Sequence, residues 1–269
     1  MKSPLRRWYS RTHAFKDVLN RELYHHAKLP DVKRREDLEV VINSCDLATK
    51  SAFRFGNRKS SCYRHGTLQR NDQVNVAFAV AASAAFPPLL PALDCNMKFT
   101  HQNTGDRSHR VTLTDGGIYD NLGISCFEPG RDNSYTPFTF DLDFLISCDA
   151  GHGMSPGGAF PYWWPSRMGS AFGAVFKKGT DYSRKLLNGL HGPALKGGYI
   201  HAYLGLQDHK LENKPADFVT RFQVNNYPTN FAAMSDQNIQ LLTKRGEQIM
   251  EILMDTYGSN LKSYHGNNF

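Results

Sequence analysis

The spacing of hydrophobic residues predicts a chain that mixes helices with strands. Apolar residues at helical spacing are typical of amphipathic helices. The segments with this spacing are 12–27, 72–86, 167–190 and 236–257. Short apolar and β-branched runs predict strands between them. The predicted strands are 38–43, 52–56, 111–114, 143–148, 199–205 and 218–223. This mixture of elements predicts an α/β protein.

The last of these helices, over 236–257, has the clearest start. Ser235 precedes it and is a residue type that caps helix N-termini. We expect its apolar side to face the core. This side consists of Ile239, Leu242, Ile249, Leu253 and Tyr257.

The helix over 72–86 is predicted from its cap, its small side chains and its end. Asp72 is a suitable N-cap, and Pro87 and Pro88 cannot continue a helix. One side is apolar, which indicates a buried helix that approaches a sheet closely. This side consists of Val74, Ala77, Phe78, Ala81 and Ala85.

A third segment carries the candidate chemistry, because a β-branched run ends abruptly in Asp115-Gly116-Gly117. Paired glycines allow a sharp turn at positive φ. We expect the Asp115 carboxylate to lie at a strand end, where α/β proteins often place functional groups. The alternative is a polar turn in which Asp115 bonds its own backbone.

The order of several short motifs resembles that of the patatin-like phospholipase family. A helix reading Ala-Ser-Ala-Ala-Phe-Pro-Pro over 82–88 is followed by Asp-Gly-Gly-Ile-x-x-Asn over 115–121. Asn43-x-x-Asp46-Leu-x-Thr49 resembles an earlier strand of the family. The remaining similar segments are 53–55, 144–150 and 228–236. The resemblance covers residues 30 to 257 approximately.

This resemblance implies a three-layer α/β/α sheet, incomplete at its N-terminal side, in a single domain over 1–269. Residues 1–30 would be a basic helical segment, 31–257 the family core and 258–269 a tail. Patatin-like enzymes hydrolyse lipid acyl esters with a Ser–Asp dyad. By the same resemblance, Asp115 is the dyad aspartate, and Gly116 and Gly117 complete its motif.

The serine of the dyad has no counterpart among these residues. The glycines before Asp115 are isolated and cannot form the family's oxyanion loop. Gly153-Met-Ser155-Pro156-Gly157 has the spacing of a nucleophile elbow, which requires a strand, a turn and a helix. Pro156 removes the backbone donor after Ser155, and a Gly/Pro/aromatic loop follows it. We therefore interpret Ser155 as a loop serine and expect no nucleophile here.

Charge and composition restrict the classes of molecule that this chain is expected to bind. The net charge is +7 over 269 residues, and ten basic residues fall within the first 35. The helix there either packs one side on the core, which we favour, or lies on anionic lipid. No recognition motif supports nucleic-acid binding. No histidine has metal-ligand spacing, so we expect no metal and no cofactor.

The cysteines and the aromatic loop give further expectations. Five scattered cysteines favour a reducing compartment, hence the cytoplasm. Peripheral membrane contact is expected only in the alternative in which the basic helix lies on anionic lipid. Cys45, Cys126 and Cys148 are predicted to be buried. The aromatic residues of the loop 151–166, among them Trp163, either touch acyl chains or pack on a sheet edge.

Two classes of function remain open at this point. In the first, the chain supplies the aspartate half of a lipid acyl hydrolase. Its serine would then lie upstream in a longer polypeptide or in a partner chain, and its substrate would be a lipid or phospholipid ester. In the second, it is a catalytically inactive lipid-binding or interaction module of the same fold.

Overall fold

The strands of the N-terminal part pair into a closed antiparallel barrel. A computed structural model describes residues 9–32, 35–87, 89–128, 130–151, 160–190, 195, 197–228, 232–258 and 261. The barrel strands are β1 (Val41–Asp46), β2 (Ser51–Gly56), β3 (Ser61–Cys62), β4 (Gly66–Leu68), β5 (Leu93–His101) and β6 (Gly105–Asp115). Each strand pairs with the next, and β1 also pairs with β6, which closes the ring.

The predicted α/β class is confirmed, and the barrel adds strands that the pattern did not predict. The short strands β3 and β4 and the whole of β5 were missed. In β5, charged and polar residues fill many positions because only one face is buried. The three-layer arrangement and the incomplete N-terminal side stay predictions.

Aromatic and aliphatic side chains fill the barrel and the surface under its helices. Phe53, Phe55 and Phe99 are fully or almost fully buried and pack ring against ring. Ala79, Ala81 and Ala82 belong to the same core. Their small side chains let a helix approach the barrel closely, as the sequence predicted.

That helix, α2 (Val76–Ser83), is shorter than predicted and starts later. Residues 71–73 form a 3-10 helix, and Val74 has extended backbone angles. Backbone hydrogen bonds from Leu29 to Val74 and from Val76 to Ala27 hold this break open. The prediction that Asp72 caps the helix is therefore wrong, because Asn75 occupies the N-cap position.

The first helix, α1 (Arg11–Val18), continues as a π-helix over Leu19–Leu23. It ends earlier than predicted because His25 and His26 have positive φ. Thr12 is buried and Phe15 packs against the barrel core. These contacts support the interpretation that one side of this helix packs on the core.

Contacts divide the described residues into two compact units. The first lies within Met1–Phe140 and includes Val175–Ser183; the second lies within Asp141–Ala174 and Arg184–Phe269. The single domain predicted over 1–269 stays a prediction.

A parallel strand pair and a long helix organise the second unit. Its strands are β7 (Phe144–Asp149) and β8 (Gly198–Tyr203), and its helices include α6 (Asp236–Tyr257). Ser235 caps α6 as predicted, accepting a hydrogen bond from the Asn238 backbone. In sequence α4 (Trp164–Leu190) lies between the two strands, close to its predicted bounds, and its residues Val175–Ser183 belong to the first unit.

The buried side of α6 agrees with its predicted side only in part. Ile249 and Leu253 pack in the core with β8 as predicted, and Ile252 joins them, whereas Ile239 and Tyr257 are exposed. The charged residue Arg245 of α6 is fully buried as well. Its guanidinium donates to the carbonyls of Leu204, Leu206 and Val219 and to Asp208.

Two smaller predictions for this unit are wrong. Residues 218–223 form no strand, because Thr220 and Gln223 make a capping box that starts the short helix α5 (Arg221–Val224). Cys148 is exposed, although Cys45 and Cys126 are buried as predicted.

Candidate functional site

Asp115 is the last residue of β6 and lies where the barrel strand turns into a short helix. The helix α3 (Gly117–Asp120) follows at once. In β6 the side chains of Val111 and Leu113 point into the core. Because side chains alternate along a strand, Asp115 lies on the same face of β6 as Val111 and Leu113, at the end of the strand. The prediction of a carboxylate at a strand end agrees with this position.

The two glycines of the motif are required by space and not by positive φ. Gly116 has helical backbone angles (φ −65°), which any residue can adopt. A Cβ at Gly116 would lie 2.4 Å from the backbone oxygen of Asn43. A Cβ at Gly117 would lie 2.7 Å from the Asn121 side-chain oxygen. The expected turn at positive φ is therefore wrong. Close approach of β1 is the physical reason for glycine at position 116, whereas a Cβ at position 117 would meet only the side chains of Asn121 and Asp115.

One carboxylate oxygen of Asp115 is held by the turn itself. The Gly117 backbone N–H donates to Oδ1 at 2.6 Å. This is the local turn bond that the sequence offered as the alternative interpretation. Within the described part of the chain, the other oxygen has no hydrogen-bond donor. The turn bond therefore orients the carboxylate and leaves one oxygen available.

The surroundings of Asp115 make its carboxyl group more basic. Burial raises the pKa of Asp115, and the hydrogen bond from Gly117 opposes this only in part. Water solvates a half-buried carboxylate poorly, so the neutral form is favoured. A carboxylate with a raised pKa accepts a proton more readily than an exposed aspartate does.

The end of α2 fixes the backbone of this turn. The Gly116 N–H donates to the Ser83 carbonyl and the Asp115 N–H to the Ala85 carbonyl, both at 3.2 Å. The Thr114 hydroxyl also donates to the Ala85 carbonyl. The helix motif over 82–88 and the Asp-Gly-Gly motif, 30 residues apart in sequence, thus form one structural unit.

Two asparagines flank the turn. The backbone of Asn43 approaches Gly116 closely. The side-chain oxygen of Asn43 is buried and accepts no hydrogen bond from the described residues. Asn121 lies beside Gly117. Both residues occur in the motifs that carried the resemblance. No role was predicted for either residue, and the structure places both at the Asp115 turn.

Asp120, five residues after Asp115, has a different role. Its carboxylate accepts hydrogen bonds from the backbones of Ile124 and Ser125 and from the Ser125 hydroxyl. Arg54 in turn donates to that hydroxyl at 2.6 Å. Asp120 therefore caps the following segment, and its oxygens are engaged in structure.

A second strand-end carboxylate, Asp149, lies in the second unit. Gly151 donates its N–H to Asp149 in the same kind of turn, at 2.7 Å. Arg184 donates to the other oxygen at 2.9 Å, and His201 lies 4.0 Å from it. Burial lowers the pKa of His201. Asp149 is therefore an ion-pair partner with both oxygens engaged.

Neither of two cavities formed by described residues is lined by Asp115. One of about 700 Å³ lies in the second unit, mostly apolar, between the ends of β7 and β8 and the helix α6. Another of about 360 Å³ lies in the first unit beside β3 and β4. Ser155, interpreted above as a loop serine, lies outside the described residues.

Comparison with known proteins supports the family for the first part of the chain. Residues 2–127 match the family model named patatin-like phospholipase. The matched residues contain the whole barrel, the end of α2 and the Asp115-Gly116-Gly117 turn. No curated protein matches the chain.

The predicted family is thus confirmed over residues 2–127. The match supports, at a coarse level, a lipid acyl hydrolase that acts on lipid esters. The resemblance of residues 128–257 and the cytoplasmic, membrane-peripheral localisation stay predictions.

Proposed function

We propose that this chain supplies the aspartate half of a Ser–Asp lipid acyl hydrolase, with Asp115 as the proton acceptor. One observation carries the proposal. Asp115 is half-buried at a strand end, with one oxygen oriented by Gly117 and the other without a donor among the described residues. A general base needs this combination of fixed orientation and an available oxygen.

The chemistry follows from that oxygen. The serine hydroxyl gives its proton to the free oxygen of Asp115 while the serine oxygen attacks the acyl carbon. Asp115 then returns the proton to the departing alcohol, leaving an acyl-serine. A water molecule repeats the sequence, so the products are a fatty acid and the alcohol. The raised pKa of Asp115 favours the first proton transfer.

The serine in this proposal comes from outside the 269 residues, in a longer polypeptide or a partner chain. The sequence contains no elbow that a helix follows, and Pro156 removes the donor that an oxyanion hole needs after Ser155. Losing oxyanion donors costs about 100-fold to 1,000-fold in rate for each donor. We therefore expect the isolated chain to be inactive.

The test uses a serine-reactive fluorophosphonate probe and p-nitrophenyl esters. The longest reading frame that contains this sequence is expressed beside the isolated chain. We expect labelling at a serine outside the 269 residues in the long form and no labelling of the isolated chain. Labelling of Ser155 in the isolated chain would contradict the proposal.

Asp115→Asn in the active form tests the base itself. Asn has the same shape but cannot accept the proton, so we expect turnover to fall at least about 1,000-fold. Asp132→Asn is the matched control. Asp132 accepts the same kind of turn bond, from the Ser134 backbone, but its side chain is exposed. If no form of the protein labels or turns over ester, the inactive lipid-binding module replaces this proposal.

A further inference from the structure

The cavity of about 360 Å³ in the first unit is a polar pocket far from Asp115. Its walls are the β3–β4 hairpin, the turn between β5 and β6, and the loop 133–137. All of these residues belong to the first unit. β6 starts beside this turn at Gly105 and ends at Asp115. At about 3.3 Å for each strand residue, the pocket and Asp115 are about 30 Å apart along β6.

Two tyrosine rings form the aromatic part of the lining. Tyr63, in the turn of the β3–β4 hairpin, and Tyr135, in the loop, contact each other with ring centroids 5.7 Å apart. Both residues are more than half exposed. The Arg64 guanidinium lies over the Tyr63 ring at 5.9 Å. An exposed tyrosine offers an apolar ring face beside a hydroxyl that donates and accepts hydrogen bonds.

The loop that carries Tyr135 is held by its own side chains. The Thr139 hydroxyl donates to the Asn133 side-chain oxygen. The Phe138 N–H donates to the Thr136 hydroxyl at 3.2 Å, and Phe138 itself is only 1% exposed. A wall that is fixed before the ligand arrives lowers the entropic cost of binding.

The polar part of the lining consists mainly of uncharged groups. Ser61 is only 5% exposed, and its hydroxyl makes no hydrogen bond with another described residue. The same holds, within the described chain, for the Thr67 hydroxyl and for the side-chain amides of Gln102 and Asn103. A ligand that shields these groups from water must itself donate and accept hydrogen bonds, because unsatisfied polar groups cost free energy.

The lining discriminates between classes of ligand. A purely apolar ligand would leave the hydroxyls and amides unsatisfied. A divalent cation is held chiefly by carboxylates, and no carboxylate side chain is among the described residues of the lining. Anions are held by converging cations, whereas Lys59 is the only permanently charged side chain described there. A sugar ring fits, since its hydroxyls donate and accept hydrogen bonds and its C–H faces pack on aromatic rings.

We propose that this pocket binds a saccharide. One sugar ring packs on Tyr63 and Tyr135, and its hydroxyls bond to Ser61, Thr67 and the amides of the β5–β6 turn. Pockets for small ligands commonly enclose about 300–1,000 Å³, so about 360 Å³ suits one or two sugar rings. This inference goes beyond the proposed hydrolase, because it requires neither Asp115 nor a serine nucleophile.

Saturation-transfer NMR on the 269-residue chain tests the site. The probes are methyl α-glucoside, methyl β-galactoside, methyl α-mannoside and N-acetylglucosamine, with the open-chain polyol sorbitol as the matched control. We expect saturable transfer to at least one ring sugar, with a dissociation constant of about 1 mM for a ligand of this size. Sorbitol has similar hydroxyls but no preformed ring, so we expect it to bind at least about tenfold more weakly.

Two positions separate the aromatic from the polar contribution. Tyr135→Ala removes a ring face and should lower the affinity about tenfold, whereas Tyr135→Phe keeps the ring and should lower it less than about threefold. Thr67→Val replaces a hydroxyl by a methyl group of similar size and should lower the affinity about fivefold. Circular dichroism checks that each variant is folded.

The control variant removes a similar ring elsewhere. Tyr257→Ala deletes a tyrosine that is 60% exposed at the end of α6, and we expect it to leave sugar binding unchanged. Equal affinities of Tyr135→Ala and Tyr257→Ala would overturn the proposal, as would the absence of saturable transfer to every ring sugar. Displacement of the sugar by millimolar inorganic phosphate would show an anion site and would overturn the proposal as well.

Discussion

Asp46 and Asp115 end two neighbouring strands of the same barrel, and their carboxyl groups behave in opposite ways. Asp46, at the end of β1, is fully buried. It accepts hydrogen bonds from His65, Thr49 and the backbones of Thr112 and Ala48. Asp115, at the end of β6, is half-buried and accepts one, from Gly117.

Hydrogen bonding, more than burial, decides why the pKa values of the two carboxyl groups shift in opposite directions. Burial alone would raise the pKa of both carboxyl groups. At Asp46 the hydrogen bonds from His65, Thr112, Thr49 and Ala48 outweigh burial and lower the pKa to about 2. At Asp115 the single hydrogen bond from Gly117 does not outweigh burial, and the pKa is raised. A fully bonded carboxylate stabilises the fold, while a poorly bonded one keeps the basicity that chemistry requires.

Asp46→Ala tests the structural half of this comparison and should have the largest effect. It removes four hydrogen bonds and leaves the His65 ring and the Thr112 N–H buried without their acceptor. We expect the free energy of unfolding to fall by about 3 kcal/mol, measured by urea titration. Asp132→Ala, an exposed carboxylate, should cost less than about 0.5 kcal/mol. Equal losses would show that the bonds at Asp46 contribute no net stability.

Gly116→Ala tests whether close packing fixes the Asp115 turn. The new Cβ would lie 2.4 Å from a backbone oxygen of Asn43, so β1 and the turn must separate. We expect a loss of about 1–3 kcal/mol in unfolding free energy. Gly173→Ala in α4 is the control, since no atom lies within 4 Å of its Cβ position. The control should stabilise the helix by up to about 1 kcal/mol, and a matching gain at Gly116 would contradict the packing argument.

Acid should remove the contribution of Asp46. Its folded pKa of about 2 lies below the ordinary value of 3.8. The stabilisation is therefore present above pH 3.8 and is lost as the pH falls through about 2. The shift corresponds to about 2 kcal/mol. Urea titrations across this window should show a flatter acid limb for Asp46→Asn than for the wild type, and parallel curves would contradict the assignment.

Asp115→Asn should have the smallest effect on stability. The raised folded pKa means that Asp115 favours the fold below its unfolded pKa. That contribution is lost as the pH rises through the folded pKa. At neutral pH the uncharged amide avoids this cost, so we expect an unchanged or slightly higher melting temperature. A melting temperature that falls as far as in Asp46→Ala would show that both carboxylates are structural.

A second contrast, between α4 and α6, shows where sequence patterns stop being sufficient. Both helices have amphipathic sequences, and their bounds were predicted closely. In α6 Ile249 packs against β8 and is 1% exposed, whereas Trp164 in α4 is 73% exposed. The periodicity predicts a helix with an apolar side. It does not say whether a sheet, a bilayer or another surface covers that side.

The sequence by itself determined the local features of this protein. The cap at Ser235, the strand β7 and the position of Asp115 all depend on residues close in the chain. Steric and hydrogen-bonding preferences within a few residues are sufficient for them. The family motifs were readable for the same reason, since each is a short run.

Only the tertiary structure decided the barrel and the chemistry of its carboxylates. The strands β3 and β4 are too short to show a pattern, and pairing with their neighbours makes them strands. Asp46 owes its low pKa to His65, 19 residues away, and to Thr112, 66 residues away. Pairing partners and hydrogen-bond donors from distant segments carry no local signal. The entropic cost of ordering them is offset only when the whole unit folds and its contacts form.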